Sequence, residues 1–394
     1  MSTRSEAVLV DVVRTPVGRG KPGGALSGVH PVDLAAGVLS TILERNGLES
    51  QQIDDVLLGC VSQVGDQSMN IARQAVLAAG FDETVPGATI DRQCGSSQQA
   101  VHIAAQGIMA GAYDVVLVGG VESMSRVPLG SSAAGGSPMS PRLRARYPEG
   151  LVNQGVSAEL IAHRWGFGRG ELDAFAAESH RRAAQAWADG FFDSTVVAVD
   201  EAPDAATDET VRAGTTAEKL AGLQPAFRTD SLAARFPELE WSITPGNSSP
   251  LTDGASAALL MSAERAVALG LRPRARFHAF SVVGDDPMMM LTGPIPATRL
   301  VLERAGLTMD DLDAYEVNEA FASVPLAWAA ELGADAAKLN PRGGAIALGH
   351  ALGSSGTRLL GTLIDQLEAT SGRYGLQTMC EGGGMANATI IERV

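Results

Sequence analysis

The feature that most constrains the fold of this chain is an internal duplication. The segment ILERNGL at positions 42–48 recurs as VLERAGL at 301–307. Each copy is followed by an Asp-containing turn and a strand-like stretch, and later by a Gly-Ser-Ser run that opens a helix, at 95–97 and 353–355. Similarity with a period of about half the chain indicates a duplicated unit rather than a solenoid. We therefore expect two similar α/β halves that pair about a pseudo-twofold axis, with the functional site between them.

The length and composition of the chain agree with this organisation. The 394 residues exceed the usual size of a single hydrophobic core. The 45 glycines and the 45% of hydrophobic residues fit a soluble α/β protein with tight turns. Residues 121–248 are rich in small residues at first and acidic later, which indicates an insertion. The predicted domains are an N-terminal half (1–120 plus 249–271), a loop domain (121–248) and a C-terminal half (272–394).

Charge and cysteine content argue against several classes of function. A formal net charge of −15 disfavours a nucleic-acid partner, and no apolar stretch is long enough to span a membrane. The N-terminus lacks a secretory signal, so we expect a cytoplasmic protein. Three widely spaced cysteines provide neither a zinc pattern nor a disulfide framework, and we expect no metal site. The basic cluster Arg142, Arg144 and Arg146 is either a solvated loop or a local contact for a phosphate group.

Cys94 is the first candidate catalytic residue. A short strand-like stretch precedes it and a helical pattern follows, so it is expected at a strand-to-helix junction. There Gly95 permits a sharp turn, Ser96 and Ser97 are natural helix caps, and the helix dipole favours the reactive thiolate. The alternative is a buried structural cysteine, which is how we interpret Cys60. This stretch alone does not decide between the two.

Three more segments combine reactive side chains with strand ends or glycines. Asn318 follows the strand expected at 315–317, His350 stands in the glycine-rich run 343–358, and Cys380 precedes three glycines. Each has an ordinary alternative, namely a helix cap, a phosphate cradle and a core cysteine, respectively. An imidazole is the usual general base for a thiol. Taken together, the two cysteines, the histidine and the asparagine predict a thiol-dependent catalytic site.

On these residues the chain resembles the thiolase family of CoA-dependent acyltransferases over essentially its whole length. The motifs that carry the resemblance are QCGSS at 93–97, GNSSPLTDGA at 246–255, MLTGPIPA at 290–297, NEAFA at 318–322, GGAIALGHALGSSG at 343–356 and CEGGG at 380–384. The resemblance implies the thiolase fold, in which two duplicated α/β halves form a five-layered α-β-α-β-α arrangement with an inserted loop domain. It also implies that the loop domain holds coenzyme A.

The resemblance implies roles for individual residues as well. Cys94 is the acyl-accepting nucleophile, His350 its base, and Cys380 the acid/base that acts on the acetyl-CoA carbanion. Asn318, through a water, joins His350 in one oxyanion hole, and the backbone N–H groups of Cys94 and Gly382 form the other. The expected substrate-binding residues are Ser249 and Phe321 in the pantetheine channel and Met290, with its neighbours Met288 and Met289, along an acyl tunnel. The alternative for the methionines is core packing.

The expected reaction is CoA-dependent thiolysis of a 3-ketoacyl-CoA into acetyl-CoA and a shortened acyl-CoA, in the degradation of fatty acids or steroid-derived thioesters. Coenzyme A is then a substrate, and no cofactor is bound permanently. The rivals are acetyl-CoA condensation to acetoacetyl-CoA, a decarboxylating ketosynthase, and a non-catalytic CoA- or lipid-binding relative. The resemblance further suggests a homodimer or homotetramer.

Four positions depart from the family pattern. Ser97 and Ala351 replace a common glycine and a common proline next to the catalytic motifs. Gln224 replaces a basic residue that often contacts the CoA nucleotide. Glu381 replaces a small or apolar residue beside Cys380, which changes the polarity expected there. None of the four removes a catalytic group.

Overall fold

A computed structural model describes residues 6–394 of the chain. In this range ten strands form one mixed sheet and thirteen α-helices surround it. The strands are β1 (Ala7–Arg14), β2 (Gly18–Arg19), β3 (Asp55–Gly59), β4 (Ala88–Ile90), β5 (Val115–Ser123), β6 (Thr252–Ser262), β7 (Ala275–Gly284), β8 (Ala314–Val317), β9 (Tyr374–Glu381) and β10 (Met385–Arg393). The helices are α1 (Pro31–Asn46), α2 (Ile71–Ala78), α3 (Ser96–Met109), α4 (Pro141–Arg146), α5 (Gln154–Trp165), α6 (Arg169–Ala188), α7 (Ala217–Ala221), α8 (Asp230–Arg235), α9 (Ala263–Leu269), α10 (Pro294–Ala305), α11 (Ser323–Leu332), α12 (Ala345–Leu348) and α13 (Ser355–Thr370).

The two halves of the sheet have the same strand order. The sheet runs β4-β3-β5-β6-β1-β7-β10-β9-β8, with β2 added to β6. In the first half β3 and β5 are parallel while β5, β6 and β1 are antiparallel; in the second half β8 and β9 are parallel while β9, β10 and β7 are antiparallel. Within the sheet, β1 and β7 join the two halves, and they pair at Val8 with Arg276 and at Leu9 with Ala275. The predicted duplication is therefore confirmed.

The repeated helices explain why the duplication is visible in the sequence. α1 and α10 carry the repeated segment, and each buries its apolar side chains against its own half of the sheet. Both helices end at a glycine in the left-handed conformation, Gly47 with φ 61° and Gly306 with φ 66°. Because this conformation is unfavourable for other residues, the glycine is kept in both copies.

Three hydrophobic clusters define five layers. α1 and α2 pack on the outer face of the first half-sheet, and α10 and α11 pack on the outer face of the second. α3 and α13 lie between the half-sheets, where Ile108 and Leu363 share one buried cluster with side chains from strands of both halves. This is the α-β-α-β-α arrangement expected for the thiolase fold. It places the N-termini of α3 and α13 side by side at the centre of the molecule.

The segment between β5 and β6 contains five helices, α4 to α8, and adds no strand to the sheet among the residues described. β5 continues to Ser123, so the strand passes the boundary predicted at residue 120 by three residues. A buried ion pair between Arg14 of β1 and Asp208, at 2.7 Å, attaches the inserted segment to the first half. None of the helices within residues 6–394 is long and apolar enough to cross a membrane.

Candidate active site

Cys94 lies in an irregular turn rather than at the end of a strand. β4 ends at Ile90, and the chain then makes a turn in which Gln93 adopts a positive φ of 49°. Gly95 occupies the N-cap position of α3, and the helix begins at Ser96. The cysteine side chain is therefore held just before the helix N-terminus, as predicted, but by the turn and not by a strand.

The two serines after Cys94 do not cap the helix, so that prediction is wrong. Ser96 Oγ accepts a hydrogen bond from the Arg92 amide (2.9 Å) and donates to the Gln93 carbonyl (2.6 Å). Ser97 Oγ accepts from the Thr357 amide of α13 (3.1 Å). The serines instead close the turn around the cysteine and join the two central helices. The serine hydroxyl at position 97, where the family commonly has glycine, thus has a structural partner.

The protonation state of Cys94 also differs from the prediction. Burial raises the pKa of the Cys94 thiol to about 12, and the carboxyl groups of Glu381 and Glu122 contribute to the increase. Hydrogen bonds from the backbone N–H groups of Cys94 and Gly382 to the sulfur act in the opposite direction but are outweighed. The helix dipole therefore does not make Cys94 a thiolate, because desolvation is the larger effect. Activation requires a base.

His350 is the candidate for that base, and its hydrogen bonds define its tautomer. Ser355 Oγ lies 2.8 Å from the Ala351 carbonyl oxygen and donates to it, so the hydroxyl oxygen accepts from His350 Nδ1–H at 2.7 Å. The proton therefore resides on Nδ1, and the lone pair of Nε2 accepts a hydrogen bond from Asn318 Nδ2. Burial lowers the pKa of His350 to about 3, and the positive charge of Arg358 adds to the decrease. The imidazole is thus neutral at physiological pH, and Nε2 is its acceptor atom.

Asn318 lies beside His350, one residue after β8. Its side-chain Nδ2 is 3.4 Å from His350 Nε2, and its backbone N–H donates to the Thr378 carbonyl of β9 (3.1 Å). Its buried Oδ1 has no hydrogen-bond partner among the residues described, so it is available to a water, as the resemblance implies. The next residue, Glu319, ties the segment to its surroundings by accepting hydrogen bonds from Ser179 (2.6 Å) and Asn340 (2.8 Å).

Cys380 is the second buried thiol of the site. It is the penultimate residue of β9 and packs in a cluster with Phe321 and Met290. Burial raises the pKa of its thiol well above the ordinary value, and the nearby sulfur of Cys94 contributes. The structure thus brings together Cys94, Cys380 and the N–H of Gly382, although Cys94 and Cys380 are far apart in the sequence.

A cavity of about 630 Å³ opens next to His350. Its walls include two of the predicted substrate-binding residues, Ser249 and Phe321, and its size is typical of ligand sites. Met290 does not line it and belongs to the buried cluster around Cys380, which matches the alternative interpretation as core packing. The remaining lining residues are Met124, Leu129, Asn153, Gln154, Gly155, Arg212, Leu223, Ala226, Phe227, Pro245, Gly246, Ser248, Pro250, Leu251 and Leu352.

Several predicted residues lie away from this site. Arg142, Arg144 and Arg146 are exposed on α4 and do not line the cavity. Cys60 is fully buried in the core of the first half, as predicted. Residues 6–394 contain no group of three or more His, Cys, Asp and Glu side chains placed to bind a metal ion.

Two residues that matter at the site were missed from the sequence. Ser355 sets the tautomer of His350, whereas the sequence shows it only as part of a Gly-Ser-Ser run that opens a helix. Glu122 accepts hydrogen bonds from the amides of Val61, Ser62 and Gly353, and so joins the first half to the His350 loop. A single carboxyl in the otherwise apolar strand β5 was a usable signal for Glu122, because charged residues are rarely buried without partners.

Two buried thiols, with backbone N–H groups directed at Cys94, lie next to the cavity that a neutral imidazole lines, because Met124 and Leu352 pack against Cys94 and also line that cavity. This set of groups, between two duplicated halves, is typical of a cysteine-dependent acyltransferase. The chain matches the thiolase N-terminal domain over residues 7–264 and the thiolase C-terminal domain over residues 271–393, so it belongs to the thiolase family. It is an acyltransferase of that family, and coenzyme A enters its chemistry as a substrate.

Relatives of known name extend over nearly the whole chain. The steroid 3-ketoacyl-CoA thiolase FadA6 of Mycobacterium tuberculosis is 48% identical over 400 residues, covering 99% of this chain and 95% of the relative. The 3-ketoacyl-CoA thiolase of Serratia proteamaculans is 44% identical over 397 residues, covering 98% and 99%. The crystal structure of the Bacillus anthracis acetyl-CoA acetyltransferase matches with a TM-score of 0.88 at 38% identity and covers both chains completely.

Proposed function

We propose that this enzyme cleaves 3-ketoacyl-CoA thioesters by CoA-dependent thiolysis through an acyl group carried on Cys94. The observation that carries the proposal is the neutral His350 in the wall of the cavity that Phe321 and Ser249 also line. The names of the relatives, most of which are 3-ketoacyl-CoA thiolases, support the degradative direction.

In the first step His350 takes the proton of Cys94, and the resulting thiolate attacks the 3-keto carbon. The charge that develops on the substrate oxygen is stabilised by the backbone N–H groups of Cys94 and Gly382, which already point at the sulfur. Each such donor contributes about 3 kcal/mol to the stabilisation of a transition state. The reaction therefore needs no preformed thiolate.

Breaking the C2–C3 bond releases the enolate of acetyl-CoA. We assign its stabilisation to His350 and a water held by Asn318, and its protonation to Cys380. The raised pKa of Cys380 suits this role, because the thiol remains protonated until a strong base is formed beside it. His350 then passes the proton that it took from Cys94 to the Cys380 thiolate, which restores both groups. A CoA molecule that loses its thiol proton to His350 takes the acyl group from Cys94, and that proton returns to the Cys94 thiolate as it leaves.

We further propose that residues 121–248 form the domain that holds coenzyme A. Most of the cavity lining comes from this segment. Leu129, Leu223 and Leu251 are large apolar side chains that remain between 37% and 50% exposed at the cavity. Covering them with a substrate is favourable, at about 25 cal/mol per Å² of apolar surface removed from water. They therefore favour an acyl-CoA with a long or ring-bearing acyl group.

Two measurements test the chemistry. Mass spectrometry after incubation with an acyl-CoA should place the covalent adduct on the peptide that contains Cys94. A Cys60→Ala variant, which alters only a core cysteine, should give the same adduct. An adduct on Cys380 or Cys60 in place of Cys94 would contradict the proposal, and the absence of any thiolysis would favour a non-catalytic binding protein.

A substrate series separates cleavage from condensation. The Bacillus anthracis structure carries the name of an acetyl-CoA acetyltransferase, which makes the short-chain condensing enzyme the second candidate. We expect thiolysis efficiency to rise from acetoacetyl-CoA to longer and ring-bearing 3-ketoacyl-CoAs, by up to about 0.8 kcal/mol per buried methylene. A steady decline from the four-carbon substrate upward would instead assign the condensing function.

The homodimer or homotetramer and the cytoplasmic location suggested above stay predictions. Light scattering coupled to size-exclusion chromatography of the full chain distinguishes a monomer of 40.7 kDa from either oligomer.

A further inference from the structure

Glu381 is a buried carboxyl that the reaction described above does not use. It is the last residue of β9 and has no exposed surface. Neither of its carboxyl oxygens has a hydrogen-bond partner among the residues described. Because an unpartnered buried carboxyl is costly, its position calls for an explanation.

The carboxyl of Glu381 packs directly against the turn that holds the nucleophile. A Cβ placed on Gly95 would collide with Glu381 Oε1, so the carboxyl lies over the Cα of the residue that follows Cys94. Glu381 also follows Cys380 in the chain. A single carboxyl is therefore next to both thiols, and the glycine at position 95 is what allows it to approach.

The surroundings of Glu381 are polar but contain few charges. The turn before the nucleophile presents Arg92 and Asp91 to it, and Asn387 of β10 donates to the Gly95 carbonyl at 3.1 Å. On α3 the nearest titratable side chain is His102, which is hydrogen-bonded to Thr389 of β10. Other buried polar atoms in this region also lack partners among the described residues, namely Arg92 Nε, Gln98 Oε1, Gln99 Oε1, His102 Nδ1 and Asn387 Oδ1.

We propose that Glu381 is a positioning residue of the cysteine pair, and that the charge of its carboxyl sets the pH at which Cys94 loses its proton. The inference deepens the function proposed above, and it rests on Cys94 being the nucleophile of that reaction. A negative charge beside a thiol opposes formation of the thiolate, whereas a neutral carboxyl in the same place does not. The second negative group that faces Cys94 is Glu122, which lies on β5.

The coupling between these groups has a specific signature. Burial raises the pKa of Glu381 to about 8, which lies below the pKa of about 12 for Cys94, so the carboxyl ionises first. Below pH 8 the carboxyl is neutral, and the thiolate fraction should rise tenfold per pH unit. Once Glu381 ionises, the thiolate becomes less favourable, and its fraction should stay nearly constant over about one pH unit before it rises again. A single isolated thiol gives no such flat segment.

The experiment is the rate of alkylation of Cys94 by iodoacetamide between pH 6 and pH 10.5, read by mass spectrometry of the Cys94 peptide in the full-length protein. We expect a flat segment that begins near pH 8 in the wild type and is absent in Glu381→Gln. The two proteins should react at equal rates below pH 8, and the variant should react about tenfold faster above the flat segment. Equal profiles at every pH, or a flat segment that persists in the variant, would overturn the proposal.

Two further variants make the result specific. Glu316→Gln removes another fully buried carboxyl, on β8, whose pKa burial also raises to about 8 but which does not act on either cysteine; this variant should keep the flat segment. Arg92→Gln removes the cation that lowers the pKa of Glu381, so the flat segment should begin at a higher pH. If Glu381→Gln fails to fold, the Arg92 variant still decides, because an unchanged onset there contradicts the proposal.

Alkylation needs no CoA substrate, so the test is independent of the proposed reaction. If thiolysis of 3-ketoacyl-CoA fails while the flat segment depends on Glu381, the function is wrong and the coupling stands. If thiolysis proceeds while the profiles coincide, the coupling is wrong and the function stands.

Discussion

The two halves of the molecule place a glutamate at equivalent positions of equivalent strands, and the two carboxyls have opposite surroundings. Asp55 and Ala314 are equivalent, because they follow the repeated segment at the same distance in the two halves. Asp55 pairs with Val116 in the first half, and Ala314 pairs with Gly375 in the second. Glu122 lies six residues after Val116, and Glu381 lies six residues after Gly375. Duplication therefore relates the two glutamates by position.

Glu122 accepts four hydrogen bonds, and Glu381 accepts none from the described residues. The donors to Glu122 are the amides of Val61, Ser62 and Gly353 and the side chain of Gln67. Burial raises the pKa of both carboxyls, but the donors counteract this effect only at Glu122. Glu122 therefore connects loops, whereas Glu381 faces the thiol of Cys94. The same strand end can serve stability in one half and chemistry in the other.

The largest expected effect comes from making the second half resemble the first. The residue before Glu381 is Cys380, and the residue before Glu122 is Val121. Cys380→Val should reduce thiolysis by about 10²- to 10⁴-fold, the usual effect of losing a general acid. Acylation of Cys94 from a simple acyl-CoA should persist, since that step does not use Cys380. If Cys380→Val impairs acylation and thiolysis equally, or if Val121→Ala has the same effect as Cys380→Val, the two strand ends do not differ in function.

A second prediction concerns the stability of the two glutamate variants. Glu122→Gln turns an amide group towards donors that require an acceptor, and we expect the free energy of unfolding to fall by about 3 kcal/mol. Glu381→Gln leaves no donor unpaired, so it should not lower the free energy of unfolding at pH 7. Denaturant unfolding at pH 7 compares the two. A larger loss for Glu381→Gln would mean that Glu381 also serves stability.

The stability of the wild type should also depend on pH through Glu381. Its pKa in the folded protein is about 8, above the ordinary value of 4.5, so the unfolded chain releases this proton first. The favourable contribution of the protonated carboxyl is complete below pH 4.5 and is lost as the pH rises towards 8. Relative to Glu381→Gln, the wild type should lose up to about 1.4 kcal/mol per pH unit in this window, and the difference should then level off. A flat difference between pH 5 and pH 8 would contradict the raised pKa.

A final comparison concerns the glycines that precede the two central helices. A Cβ on Gly95 would collide with the Glu381 side chain, whereas a Cβ on Gly353 would collide with the carbonyl oxygens of Val121 and Gly59. Gly95→Ala should cost about 1 to 3 kcal/mol, the range for overpacking, and Glu381→Ala should recover part of that loss. The same second substitution should not rescue Gly353→Ala. Rescue of both, or of neither, would show that the two contacts do not differ in this way.

Much of the fold was predictable because it depends on local patterns. The repeated segments in α1 and α10 reveal the duplication, since both copies need the same apolar face and the same terminal glycine. The position of Cys94 before α3 also followed from residue types nearby. The predicted helix caps failed at Ser96 and Ser97, because their hydroxyl groups found partners in the turn and in α13.

The duplicated α/β halves, the inserted segment and the candidate reactive residues can be read from local sequence patterns, because each depends on residues within a few turns of chain. The protonation states depend on long-range packing. Cys94 is a thiol because burial outweighs the helix dipole, and His350 is neutral because it is buried; in both cases the burial is produced by segments distant in sequence. For the same reason, only the packing of β9 against the Cys94 turn distinguishes Glu381 from Glu122.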